Sequence, residues 1–192
     1  QRSTQTDLMY IDRVDGIEKK FDQLSKKKFM FWFKADYENY QRTVSEATER
    51  RINNISNRIR NLDFIGIGSE ITVLDHIQLK LRKHLLLAGH IYRVKTTFSK
   101  QLSTLQNDIE ASLENENIDH FEVLLKMFHS LMVEIQSQRI LSEKCLLTEI
   151  KEICLQFSKN LHHVTLQQSQ SILQSFNQKL DNQQYLSAAR QA

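Results

Sequence analysis

Apolar residues recur along this chain at steps of three and four, the spacing that gathers them on one side of an α-helix. Ile52, Ile55 and Ile59 form one run, and Ile71, Leu74, Ile77, Leu81 and Leu85 form the next. Phe98, Leu102, Leu105, Ile109 and Leu113 follow, then Leu124, Phe128, Leu131 and Ile135, then Leu146, Ile150, Ile153, Phe157 and Leu161. Gln, Asn, Lys, Ser and Glu fill the positions between them, so the pattern predicts amphipathic helices that each bury one stripe. The Gln-, Ser- and Asn-rich tail from Gln167 to Gln191 keeps the spacing through Ile172, Leu173, Phe176 and Leu180, and reads as a polar-faced helix.

Breaks are few. Arg60-Asn61-Leu62-Asp63 predicts a turn with Asp63 as N-cap, and Glu114-Asn115-Glu116-Asn117 another with Asn117 as N-cap. Asp181-Asn182-Gln183-Gln184 predicts a third, with softer breaks at Ser25 to Lys28 and Ser137 to Ser142. The helices between corners are long: Phe64 to Leu113 is roughly 49 residues, or about 73 Å if unbroken.

The breaks align with one another. Each is framed by an apolar pair five apart: Leu24/Phe29, Ile59/Phe64, Leu113/Ile118 and Leu180/Tyr185. Each pair predicts a helical-hairpin corner, one residue closing a helix and the other opening the next, both pointing inward. Shared amphipathic periodicity explains part of the match, and the copies lie 35, 54 and 67 residues apart, unlike the near-constant period of regular repeat arrays.

Composition sharpens the fold class. The chain has no proline and four glycines, where average usage gives about ten and thirteen. Those residues supply most turns, so helices joined by few connections are expected. The predicted fold is all-α: an elongated antiparallel, up-and-down bundle of long amphipathic helices with coiled-coil-like packing, its finer form being tandem irregular hairpin repeats. Residues 1–192 read as a single helical module excised from a larger protein, with sub-units 1–62 and 63–192. The net charge of +3, from 26 basic and 23 acidic residues, supplies no concentrated footprint for nucleic acid. Cys145 and Cys154 are about 13 Å apart along a helix, too far for a disulfide within it, and are expected as reduced thiols of a cytoplasmic protein. No apolar run is long enough for a transmembrane helix.

The sharpest local feature runs from Lys26 to Lys34, basic, then aromatic, then basic again, with the sole tryptophan at position 32. Lys26, Lys27, Lys28, Phe31, Trp32 and Lys34 are the candidate contacts for a protein partner or a membrane surface. Helical spacing through Phe29, Trp32, Phe33, Tyr37 and Tyr40 offers the competing prediction that Trp32 packs into the core and only Met30 and Phe31 face outward.

No motif carries catalysis. Seven histidines show no zinc or di-iron spacing; Asp75-His76 and Glu116 with His120 each offer two ligands where a site needs three or four. Cys145 lacks a histidine within a helical turn. Gly66-Ile67-Gly68-Ser69 lacks the strand and third glycine of a dinucleotide fingerprint, and reads as a first helical turn or a close approach of two helices. Asp12 to Gly16 lacks the alternating ligands of a calcium loop. The expected function is therefore a non-catalytic scaffold, spacer or protein-interaction module without cofactor or metal. Protein partners are expected, with self-association through a free helix face as a second mode. A membrane-surface-binding helical dimer and an enzyme with a site assembled only in three dimensions are the alternatives.

Overall fold

The three-and-four spacing becomes a set of buried stripes. A computed structural model describes residues 2–27, 31–115 and 117–189, which form six α-helices and no strand. They are α1 (Arg2–Lys27), α2 (Phe31–Arg60), α3 (Ile67–Leu81), α4 (Ala88–Glu114), α5 (Ile118–Ser137) and α6 (Leu146–Ala189), an all-α bundle. Ile52, Ile55 and Ile59 of α2 are wholly buried, as are Ile71 of α3, Leu105 and Ile109 of α4, Leu131 and Ile135 of α5 and Ile150 of α6. Each such side chain contributes on the order of 1.5–3 kcal/mol relative to exposure. Val14 and Phe21 add α1 to the same continuous core.

Cross-helix contacts give the local sense of several pairs. Asp15 of α1 meets His76 and Lys80, while Asp22 meets His84, so residue numbers rise together along α1 and α3. On α2 they fall as α3 rises: Tyr37 meets His84 and Arg51 meets Glu70. Phe128 of α5 packs on Phe157 of α6 with ring centroids 4.4 Å apart. Ten residues on in α5, the Gln138 carbonyl at its end accepts from Lys151 Nζ at 2.7 Å, so those two helices also run in opposite senses.

The α2–α3 corner forms where the sequence predicts a turn, with a different inner structure. Leu62 adopts a left-handed φ of 56°, the Leu62 N–H bonds to the Ile59 carbonyl and the Asp63 N–H to the Arg58 carbonyl. That is a Schellman closure of α2. Asp63 is consequently the residue after the cap of α2 rather than the N-cap of α3. Arg58 Nε donates to its carboxylate at 2.9 Å, and that bond holds Asp63 below the usual aspartate range. Ile59 and Phe64 both turn inward as expected. At the α4–α5 corner Asn117 caps α5 as predicted, its side chain accepting from the His120 N–H. Leu113 is only half-buried there, however, and Ile118 is 63% exposed, so this pair does not pin the corner from inside.

Two other expectations are corrected. The span from Phe64 to Leu113 is not one rod, because the chain leaves helix at residues 82–87. Leu85 and Leu87 are buried with Leu86 97% exposed between them, an alternation that extended chain makes and a helix does not. The His84 carbonyl accepts from Gln41 Nε2, so a tertiary bond holds the departure in place. At the other end, Asp181 to Gln184 and the Leu180/Tyr185 pair lie within continuous α6 helix. Polar residues without glycine or proline do not end a helix by themselves. The α6 helix has 44 residues, about 66 Å, against 20 in α5, about 30 Å.

Two helices start on carboxylates supplied by other helices. Glu134 of α5 accepts the N–H groups of Gly66 and Gly68 at the start of α3, each at 2.8 Å. Gly66 holds a left-handed φ of 72°, and a Cβ on Gly68 would lie 2.8 Å from Gln138 Cγ and 3.1 Å from the Glu134 carbonyl. Gly68 alone is the close helix approach that the sequence suggests; Gly66 has open space and serves the turn. Asp75 of α3, 1% exposed, accepts the N–H groups of Leu146 at 2.7 Å and Leu147 at 2.9 Å, the first turn of α6.

Candidate functional site

The basic-aromatic stretch straddles the end of α1 and the start of α2. Lys26 and Lys27 close α1 and are exposed; Lys28, Phe29 and Met30 lie outside the described residues. Phe31 is 88% exposed and Trp32 82% exposed, so Trp32 does not enter the core. The reason is register. Tyr37 and Tyr40 are the residues of this segment that reach the core, packing their ring edges on Phe21, while Phe33 is half-buried beneath Lys27 Nζ, 5.1 Å from its ring centroid. Lys34 is exposed, 3.9 Å from Glu38.

The α3–α4 link reaches the same end of the bundle, which the sequence did not reveal. His84 stacks on Phe21 with centroids 4.7 Å apart and planes 7° from parallel. Its Nδ1 lies 3.1 Å from the Tyr37 hydroxyl and its Nε2 3.3 Å from Asp22 Oδ1. Two residues on, Leu86 stands clear of the surface beside exposed Arg82 and Lys83. Phe31 and Trp32 precede Tyr37 by five or six residues, about 8–9 Å along α2. Lys26, Lys27, Phe31, Trp32 and Lys34 therefore lie toward one end, with Arg82 and Lys83 next to His84 in the chain. The link then runs back along α2, His84 meeting Gln41 and His90 meeting Glu49, which carries the exposed Leu86 away from the start of α2. No sequence signal placed Arg82 and Lys83 near that end.

The line Asp22–His84–Tyr37 has the composition of a proton relay, with Asp22 exposed at one end. His84 is buried, and burial raises both Tyr37 and Tyr40 above the usual phenol value. The larger surface clefts are lined by other residues. One of about 280 Å³ lies between the α2–α3 corner and α5, lined by Leu62, Phe64, Ile65 and Met127 with Asp63 and Glu134 at its edge.

The paired-ligand candidates separate in space. Asp75 points to the start of α6, whereas His76 Nε2 lies 3.6 Å from Asp15 on α1. Adjacent helical residues diverge by about 100°, which explains the split. Glu116 lies outside the described residues. No group of three or more metal-ligating side chains gathers among the described residues. Asp12 to Gly16 is helical, with Asp15 engaged by Lys80 at 3.3 Å. Cys145 and Cys154 are buried free thiols in the core, and burial pushes the Cys154 thiol up to about 12. No helix among the described residues is long and apolar enough to cross a membrane. No protein-family model matches this chain, nor does any curated protein or solved structure.

Proposed function

We propose that this chain is a non-catalytic helical spacer and interaction module, holding a contact surface at one end of an elongated bundle. The observation that carries the reading is the pair Phe31 and Trp32, two large aromatic side chains more than four-fifths exposed and flanked by lysines. Exposing an indole and a phenyl ring forgoes the apolar burial each would otherwise gain, and such side chains are the anchors by which interfaces are held. The long α6 supports the spacer part: a helix of 44 residues is about 66 Å long, against a radius of gyration of about 16 Å for a compact chain of this length.

Two measurements test the reading. Small-angle scattering with light scattering should give a radius of gyration well above that compact value and a maximum dimension beyond the length of α6. Affinity capture with wild-type chain and with Phe31→Ser/Trp32→Ser should show a partner that the double variant loses and that Leu166→Ser, a half-exposed position on α6, retains. A compact particle overturns the spacer, and capture indifferent to both aromatic positions overturns a protein partner at this surface.

A further inference from the structure

We infer that this end of the bundle docks onto an anionic lipid surface, inserting Phe31 and Trp32 at headgroup depth; this rests on reading the aromatic pair as a contact surface. Phe31 and Trp32 are two of the four most exposed large apolar side chains among the described residues, the others being Leu86 and Ile65. The cations there are Lys26, Lys27, Lys34, Arg82 and Lys83; the acids are Asp22, Asp36 and Glu38. Asp22 lies against His84 and Glu38 against Lys34, while Lys26, Arg82 and Lys83 make no ion pair with any described residue.

An excess of free cations around apolar tips is complementary to a negatively charged interface, where lysines meet lipid phosphates and an indole sits between headgroup and acyl chain. Ile65, another member of that exposed set, stands beside Asp63 and Glu134, and Arg58, which bonds its carbonyl, is already paired with Asp63, so it lacks the free cations of the other end. Docking by the tip needs no basic concave face, so the near balance of charge over the whole chain does not oppose it.

Trp32 is the sole tryptophan, so its emission reports on this site alone. The full 192-residue chain is titrated with phosphatidylcholine vesicles with and without phosphatidylserine, at low and high salt. The expected result is a blue shift, and quenching by lipids brominated in the acyl chain, with the anionic vesicles only and reversed by salt. Lys26→Gln/Lys27→Gln should lower partitioning about 25-fold, at about fivefold for each cation. Phe31→Ser should also weaken it, whereas Leu166→Ser should leave it unchanged, with circular dichroism confirming that each variant keeps its helix content. An unmoved Trp32 spectrum, or an equal response to neutral vesicles, overturns the lipid inference. If capture still depends on Phe31 and Trp32, the surface is then a protein site; if both experiments fail, the contact-surface reading itself falls.

Discussion

Replacing Asp75 by alanine should destabilise the fold out of proportion to the size of the change. In the native chain this carboxyl, 1% exposed, holds the N–H groups of Leu146 and Leu147, whose own residues are fully buried. Alanine leaves both donors without a partner where water does not reach, and each orphaned buried donor costs about 1–3 kcal/mol. Relief from burying the carboxyl offsets part of that, so a net loss of about 2–4 kcal/mol is expected. Asparagine keeps one acceptor and should fall between the two. Urea unfolding followed at 222 nm gives the free energies from midpoint and slope, and amide exchange locates the damage.

The pH dependence follows from the same burial. Desolvation raises Asp75 above its ordinary value of 3.8, against the opposing pull of the two N–H donors and the Cys145 thiol. The folded state thus keeps this proton to higher pH than the unfolded state does. Asp75's advantage over asparagine is then greatest in acid and shrinks as pH rises from 3.8 through the raised folded value. Two results refute the reasoning: an alanine variant within about 0.5 kcal/mol of wild type with unchanged exchange at 146–147, or an advantage that grows as pH rises.

Matched glycine substitutions should have opposite signs. Gly16→Ala, in the interior of α1 with nothing within 4 Å of the new Cβ, should stabilise by about 0.5–1 kcal/mol in thermal unfolding. Gly68→Ala forces α3 and α5 apart and should destabilise by about 1–2 kcal/mol; a gain there refutes the close approach. Glu134→Ala removes both acceptors at the start of α3 and should cost about 1–2 kcal/mol in the same assay, with faster amide exchange at Gly66 and Gly68. Neither cysteine should react with a thiol reagent at neutral pH until the chain unfolds, when both should; fast native labelling of Cys154 contradicts its burial.

The core was legible because burial along a helix leaves a direct record in spacing. Ile52, Ile55, Ile59, Leu102, Leu105 and Ile109 are all where the three-and-four rule puts them. Asn117 was legible too, since an N-cap acts within three residues of itself. What failed depends on partners distant in sequence. Leu81 to Leu87 is rich in helix-forming leucine, and the chain departs from helix there while His84 is engaged from Asp22, Tyr37 and Gln41 on other helices. Trp32 had helical spacing consistent with the core, but the register was taken by Tyr37 and Tyr40 against Phe21. Asp63 had the chemistry of a cap for the following helix, and the left-handed Leu62 before it assigned it to the preceding one. The exposed end was therefore half visible: its α1 and α2 residues formed a recognisable stretch, whereas Arg82 and Lys83 come near it only through tertiary folding.

The borrowed helix starts impose an order of assembly. Asp75 sits 71 residues from the first amide it caps and Glu134 sits 68 from Gly66, so neither start is specified until a long loop has closed. Contacts of that reach form late on the folding path. Losing one should then show mainly as faster unfolding, with the rate of folding little changed. It also makes α5, α3 and α6 a relay of dependence, in which deleting α5 leaves α3 without its beginning and deleting α3 leaves α6 without its own. The chain can be lengthened or shortened beyond Leu161 without touching that relay, but it cannot be cut between α3 and α6 into halves that each keep their own helix starts.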